Sequence, residues 1–510
     1  MKVNQLKAGA ILSYISMGLG YIISILYTPI MLRLLGRSEY GLYNLVVSVV
    51  SYLGLLSFGF GSAYMRYYSR YKVKGEEHNV ARLNGMFIIV FTVIGFVAIV
   101  TGSILVFYVD IVFGDKLTVS EISKARILMA IMVFNIALSF PSSVFNSYII
   151  ANEEYIFQNA IQIIKTVVNP FVMLPVLLLG YKSVGMAAVT TMLNVTVEIT
   201  NVVFCLKKLG MKFQFRHFNL PLMKEMTVFS SYIFMNMIID QINWNVDKFI
   251  LGRFRGTVAV AVYGLAAQLN TYYISLSTSI SNVFIPKVNR MVASKNNNSE
   301  LTDLFTRIGR IQFIVLSLIC SGLVFFGKPF IGMWGGVDYT EAYPITLLLI
   351  IPVTVPLIQN IGIEIQKAKN MHKFRSCVYL FIAIFNMFLS IPLAKKYGGV
   401  GAALGTAISL VIGNGLVMNW YYHMRVGLNM KYFWKQILQF IPALVLPISV
   451  GIVILTNVDL YNAVHFLISG FVYVLVYFIS MWFLGMNKYE KDLIGKPSIK
   501  VLKALKLLHT

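Results

Sequence analysis

About fourteen apolar stretches of roughly 18 to 28 residues recur along this chain, and the connections between them reach at most about 25 residues. Each stretch is long enough to cross a ~30 Å hydrocarbon core as a helix rising 1.5 Å per residue. No connection has room for a folded soluble domain. In lipid every backbone donor and acceptor must be satisfied within the spanning segment, so such a pattern folds as a bundle of transmembrane helices. With 58% hydrophobic and 12% charged residues the composition agrees, and the expected class is an all-α polytopic membrane protein of about 14 transmembrane helices. Without a catalytic head, an enzyme is not expected.

The formal net charge of +23 raises the question of nucleic acid, but the Lys and Arg sit in alternate loops. With Lys2 and Lys7 placed inside, 30 of the 43 fall in inside segments and 11 in outside loops. The excess of positive charge on one side predicts both termini in the cytoplasm and no nucleic-acid partner. One inside loop, around Glu153 and Glu154, has no Lys or Arg. Cys205, Cys320 and Cys377 are scattered through spans or their ends, so no disulfide framework is implied. The first apolar stretch, about Ala8 to Leu32, is long for a signal-peptide core and reads as a retained first helix.

The pattern restarts halfway, at a separation of 216 or 217 residues. YKSVGMAAVTT at Tyr181 matches YGGVGAALGTA at Tyr397, and Asn169 and Pro175 fall on Asn386 and Pro392. Leu35, Gly36 and Arg37 fall on Leu251, Gly252 and Arg253, after which Tyr40 and Gly41 find Tyr263 and Gly264 across an insertion. The expected organisation is an N-terminal lobe of helices 1–6 (residues 1–210), a cytoplasmic linker (211–226) and a C-terminal lobe of helices 7–12 (227–425). Helices 13–14 (426–486) and a basic cytoplasmic tail (487–510) complete the chain. Six helices per half make the repeat parallel, and parallel repeats commonly bind substrate between the halves and work by rocking. The tail pattern suits either a basic amphipathic helix on the anionic leaflet or a solvated tail that enforces topology.

The densest polar set inside an apolar segment is NMIIDQINWNVDK, Asn236 to Lys248. Asn236, Asp240, Asn243 and Asp247 follow i, i+4, i+7, i+11 spacing and share one helix face, with Gln241, Asn245 and Lys248 beside them. A carboxylate at mid-span costs roughly 2.5 to 3.5 kcal/mol on insertion scales, so Asp240 is expected to face a cavity or a partner rather than lipid. It serves there as a substrate contact or cation-coupling group, or as an interhelical structural hydrogen bond.

Lys165 and Glu198 fall at similar depth, about 10 Å by the helical rise. They form either a structural pair across a helical hairpin or a site where Lys165 is available to an anion. Arg66, Arg70, Arg307 and Arg310 collect at the cytoplasmic ends of helices 2 and 9. They set topology, or they offer cations to an anionic substrate at the entrance. Tyr21, Ser24, Tyr27, Trp244 and Gln268 complete the candidate cavity lining, the aromatics as flat substrate contacts or as packing. No Walker A sequence and no HExxH occurs, and the six His are dispersed, so neither a catalytic residue nor a cofactor nor a metal is expected.

LLGRSEYGLYNLVVSVVSYLGLLSFGFGSAYMRYYSRYK, Leu34 to Lys72, resembles the opening of the Wzx-like polysaccharide flippases. These O-antigen and capsule-type transporters belong to the multidrug/oligosaccharidyl-lipid/polysaccharide exporter superfamily. VDKFILGRF, Val246 to Phe254, is similar to the start of their second lobe. The resemblance implies two helical lobes around a central cavity and transport by alternating access. It implies an undecaprenyl-diphosphate-linked oligosaccharide as substrate, a bacterial inner membrane as location, and membrane lipids and glycan polymerase machinery as partners. In the lipid II branch, arginines in the middle of helices 1, 2 and 8 are associated with the anionic head; here helix 1 offers Ser13, Ser16, Tyr21, Ser24 and Tyr27 instead, and helix 8 offers Gln268, Asn270, Tyr272, Tyr273 and Ser275.

The leading expectation is therefore a flippase for a lipid-linked oligosaccharide. The alternative is an H+- or Na+-coupled drug or metabolite antiporter of the same superfamily, for which Asp240 would suit cationic substrates. A membrane-embedded polymerase or acyltransferase would need a large outer loop or catalytic His and Arg there, and the outer loops are short.

Overall fold

The computed structural model describes residues 5–216, 219–294 and 298–493. Among them the chain is helical throughout, in the order α1 (Gln5–Leu35), α2 (Arg37–Val50), α3 (Phe60–Val73), α4 (Glu77–Phe107), α5 (Val109–Phe113), α6 (Val119–Ala151), α7 (Tyr155–Leu178), α8 (Lys182–Lys207) and α9 (Leu220–Arg255). There follow α10 (Thr257–Ala293), α11 (Asn298–Trp334), α12 (Ala342–Ile358), α13 (Ile361–Ala368), α14 (His372–Leu410), α15 (Met418–Tyr421), α16 (Met430–Leu438), α17 (Ile441–Asn457) and α18 (Ala463–Ser480).

Among the described residues ten helices are long and apolar enough to cross a membrane, or eleven if α12 and α13, bent by 44° at their junction, form one broken span. The expected fourteen exceeds this by three, and the difference has a physical origin. α9 and α10 are 36 and 37 residues long but carry too many polar residues to pass a hydropathy test. The apolar stretch Lys373–Val426 is 54 residues long and is broken inside α14 at Gly398, whose φ of 62° and ψ of −137° are not helical.

The helix ends follow local chemistry. Thr118 accepts from the Glu121 amide at 3.2 Å while Glu121 Oε2 accepts from the Thr118 amide at 2.9 Å, a reciprocal cap that starts α6. Asn219 caps α9 and Asn462 caps α18. The repeat is visible in the backbone at two turns. Gly36 (φ 76°, ψ 165°) separates α1 from α2 and Gly256 (φ 84°, ψ −177°) separates α9 from α10, a region of φ/ψ open essentially to glycine alone. The turn of the second half thus falls at Gly256, four residues past the Gly252 that sequence matching aligned with Gly36. Lys182 and Gly398, aligned by the YKSVG and YGGVG motifs, both have positive φ, 44° and 62°.

The chain packs as two compact units, one of Met1–Gly264 with Asn386–Ala402, the other of Leu265–Phe385 with Ala403–Thr510. In the first, α4, α6 and α8 pack together, α1 packs along α7, and α9 lies against α2 and α3. Its aromatic core includes Tyr64, Tyr68, Phe87, Phe91 and Phe145. In the second, α11 is the central rod against which α12, α16, α17 and α18 pack, around Phe305, Tyr273, Tyr422 and Phe433. Phe471, Leu467 and Val453 remain exposed on α17 and α18, the faces that lipid covers in a membrane. Of the expected basic tail, residues 494–510 lie outside the described residues. Of its first residues, Asn487, Lys488 and Tyr489 are exposed, while Glu490 is 2% exposed and exchanges backbone-to-side-chain hydrogen bonds of 2.9 and 3.0 Å with Asn487.

Candidate functional site

In the first unit, the end of α3 that carries Arg66 to Lys74 is the basic end and the end at Gly36 is the opposite one. The polar face of α9 runs between them, and it does not have one environment. Asn236, Asp240 and Trp244 are exposed, Asn243 and Lys248 half-buried, and Asp247 buried at 2% exposure. An i, i+11 pair stays on one face, so the difference lies in what covers it. Toward the Gly36 end α9 packs against α2 and the turn at Gly114–Lys116, and there Asp247 Oδ2 accepts from the Tyr263 hydroxyl at 2.7 Å. Asp247 is thus held in a packed polar contact, while Asp240 is presented at a surface.

The flank of the face bonds to the first hairpin. Ser51 Oγ donates to Gln241 Oε1 at 3.2 Å, Gln241 Nε2 donates to the Ser51 carbonyl at 3.3 Å, and Asn245 Nδ2 donates to Gln241 Oε1 at 2.6 Å. Ser51 also lines a small cavity of about 150 Å³ with Tyr43, Asn135, Thr190 and Thr191, between α2, α6 and α8. Asn194 donates to Asn135 at 3.2 Å next to it. Further along the same helices Ser142 hydrogen-bonds Glu198, and Glu198 interacts electrostatically with Lys165 on α7. On α1, Tyr21, Ser24 and Tyr27 are half-buried, with Tyr27 beside Tyr43.

At the basic end the arginines are not a bare cationic rim. The guanidinium of Arg66 stacks 4.6 Å over the Phe229 ring of α9. Glu225, one turn earlier on α9, hydrogen-bonds Tyr67 between Arg66 and Arg70. Both arginines are exposed.

At the Gly36 end a polar belt ties α2, α6, α8, α9 and the start of α10. Glu121 Oε1 accepts from Ser38 at 2.6 Å and from Thr257 at 2.7 Å. Glu39 accepts from Lys124 and Ser183. Arg253 donates to the carbonyls of Ile111 and Val112 at 2.6 and 2.9 Å, capping α5. Next to it the guanidinium of Arg126 on α6 hydrogen-bonds Asp110 of α5 and holds its carboxyl below the usual carboxylate range. Gly41 permits this closeness, since a Cβ there would lie 1.8 Å from the Thr257 carbonyl oxygen. None of the belt residues is a site candidate from sequence, where Arg253 appears only as the repeat match of Arg37, although Thr118-x-x-Glu121 before an apolar run is a legible capping signal.

In the second unit, Gln268 is half-buried and donates to the Tyr272 hydroxyl at 2.6 Å. Arg307 is exposed, its guanidinium 5.3 Å over Tyr489. Arg310 corrects the sequence expectation of an entrance cation: it is 2% exposed, and its guanidinium is committed to Glu490, Gln436, Gln439 and Gly485. Sequence position at a helix end does not reveal that a later segment folds over it. Among the described residues no group of three His, Cys, Asp or Glu could hold a metal ion.

Residues 6–292 match the family described as polysaccharide biosynthesis protein. The chain is 21% identical over 494 residues to the uncharacterized membrane protein EpsK of Bacillus subtilis (strain 168), covering 96% of this chain and 97% of that one. It is 21% identical over 397 residues to a putative O-antigen transporter of Shigella flexneri, covering 76% of this chain and 91% of that one. Among solved structures, the lipid II flippase MurJ in an inward closed conformation is similar with a TM-score of 0.72 at 17% identity, over 95% of this chain and 99% of that one.

Proposed function

The chain belongs to the polysaccharide biosynthesis protein family, and from that premise we propose that it is a polysaccharide-related flippase. Its substrate is an undecaprenyl-diphosphate-linked oligosaccharide repeat unit, moved from the cytoplasmic to the outer leaflet for surface polysaccharide biosynthesis. The observation that carries the reading is the family match over more than half of a chain built from membrane-length helices. A protein of polysaccharide biosynthesis with this architecture has translocation, not catalysis, as its task.

In this reading all fourteen apolar segments cross the membrane, α9 and α10 included, because a helix whose polar face meets a water-filled path spans the bilayer at low cost. The membrane is the bacterial inner membrane. The Lys and Arg distribution supports placing the basic end and both termini in the cytoplasm. Arg66 and Arg70 then meet the diphosphate on arrival. Asn236, Asp240, Asn243, Trp244 and Lys248 line the path with Tyr21, Ser24, Tyr27 and Lys165, and the belt at the Gly36 end closes the outer side until alternating access opens it. Coupling to H+ or Na+ falls to Asp240, and the polymerase machinery takes up the delivered unit.

Asp240 also favours a second reading, a cation-coupled multidrug or metabolite antiporter, because an exposed carboxylate on α9 suits a cationic substrate. Lipid-linked glycan in membranes of a deletion strain separates the two. The flippase reading expects the intermediate to accumulate on the cytoplasmic leaflet with surface polysaccharide lost. Normal surface glycan and no trapped intermediate, in a strain without a redundant flippase, would sink it.

A further inference from the structure

At the basic end of the first unit, turns distant in sequence close around a cavity of about 390 Å³, within the range of small-molecule sites. Lys72 reaches it from the end of α3, Glu76 and Glu77 from the start of α4, Asn152 from the turn after α6 and Lys212 from the segment after α8. Gly75 and Gly210, with φ of 71° and 61°, make two of the turns. The ring of Tyr68 forms part of the wall.

The walls are fixed by hydrogen bonds made below the cavity. Tyr68 Oη and Lys72 Nζ each donate to Asn152 Oδ1 at 2.8 Å. Tyr64 Oη donates to Asn84 Oδ1 at 2.6 Å, and Asn84 Nδ2 donates to the Lys212 carbonyl at 2.9 Å. Asn84 is 1% exposed, so this second pair anchors the segment that carries Lys212. Lys72 and Lys212 themselves stay exposed. An ammonium has three N–H donors, so Lys72 retains donors beyond the one given to Asn152.

The lining combines two ammonium groups, two carboxylates and carboxamides, beside a Tyr68 ring that is itself only 3% exposed. Inorganic phosphate alone would be repelled by Glu76 and Glu77, and a neutral sugar alone would leave the two lysines without a task. A ligand with both a phosphate and a set of hydroxyls uses the whole lining. We propose that this cavity binds a phosphorylated sugar. The two lysines take the phosphate, and the carboxylates together with the one N–H that Asn152 keeps beyond its bond to the Tyr148 carbonyl take hydroxyl groups. The site is separate from the face of α9 and does not depend on transport. Its ligand comes either from the head of a lipid-linked sugar or from a soluble sugar phosphate.

The test uses the full chain in lipid nanodiscs, with binding read by saturation-transfer NMR. The probes are glucose 1-phosphate, galactose 1-phosphate and N-acetylglucosamine 1-phosphate, with glucose and inorganic phosphate as separate arms. At least one sugar phosphate should saturate, with glucose and phosphate alone about tenfold weaker or more, the loss expected when charged hydrogen bonds are removed. Lys212→Ala and Glu77→Gln, both at exposed side chains, should each weaken that binding about fivefold or more. Absence of saturable binding across the panel, or binding indifferent to both variants, overturns the proposal. Competition by a water-soluble short-chain prenyl diphosphate N-acetylglucosamine assigns the lipid-linked source, and its failure to compete assigns the soluble one; either result supports the site. Because the readout is binding without transport, its failure leaves the flippase reading standing, and the reverse also holds.

Discussion

Arg310 and Glu490, 180 residues apart, form a two-pronged ion pair with N–O distances of 2.5 and 2.9 Å at sites 2% exposed. The same guanidinium donates to the carbonyls of Gln436 and Gly485 at 2.7 and 2.9 Å and to Gln439 at 3.3 Å, and it stacks over Phe440 at 4.3 Å. All five of its N–H groups are therefore engaged. The residue closes the junction where α16, α17 and the segment after α18 meet α11.

Removing one member of such a pair leaves a buried charge. Glu490→Ala and Arg310→Ala should each cost about 3–5 kcal/mol, measured as thermal stability of the detergent-solubilised protein. The double variant Arg310→Met/Glu490→Leu should regain most of the loss, since an apolar pair has no charge to desolvate. Two single variants as stable as the parent would refute the structural role.

The approach of α2 to the start of α10 depends on the hydrogen side chain of Gly41. A Cβ would meet the Thr257 carbonyl oxygen at 1.8 Å, a backbone atom that cannot swing aside. Gly41→Leu should destabilise by roughly 1–3 kcal/mol or force the two helices apart. Cross-linking between cysteines placed on α2 and α10 reports the separation; unchanged efficiency together with unchanged stability would contradict the packing.

Glu121 accepts from Ser38, Thr257 and the Thr118 amide. Glu121→Ala strands the Thr257 hydroxyl, the one buried donor of the three, at a cost of roughly 1–3 kcal/mol. The expected outcome is a loosened belt, read as faster labelling of a cysteine introduced at Ser38 by a membrane-impermeant thiol reagent added from outside. Thr257→Val should show the same trend more weakly, and labelling rates equal to the parent's in both would remove the belt from the gating scheme.

Asp240 and Asp247 sit on one helix face but should fail differently. Asp240→Asn, at an exposed position, should express and fold normally yet lose complementation of the deletion strain. Asp247→Asn, at a 2% exposed position bonded to Tyr263, should lower thermal stability first. Full complementation by Asp240→Asn would transfer the role to another residue of the path.

The fold was largely legible because its signals are local and periodic. Apolar length, alternating loop charge and the 216-residue echo of YKSVG and YGGVG each need only neighbouring residues to be read. The environment of the candidate site residues was not legible. Arg66 and Arg310 both look like basic residues at helix ends, yet one is exposed beside Phe229 and the other is sealed by Glu490. The cavity at Lys72, Asn152 and Lys212 was not legible at all, because its residues come from separate turns and share no motif.

The sequence by itself determined that this is a multi-helix membrane protein with a repeated half and a polar face on α9, since a bilayer imposes its demands on each segment separately. Only the tertiary structure decided which polar groups on those helices are free to act. Covering a charge requires atoms from distant segments: α2 and the start of α10 over Asp247, Glu490 over Arg310. Burial and partnership are properties of packed pairs, and no single stretch of chain carries both members.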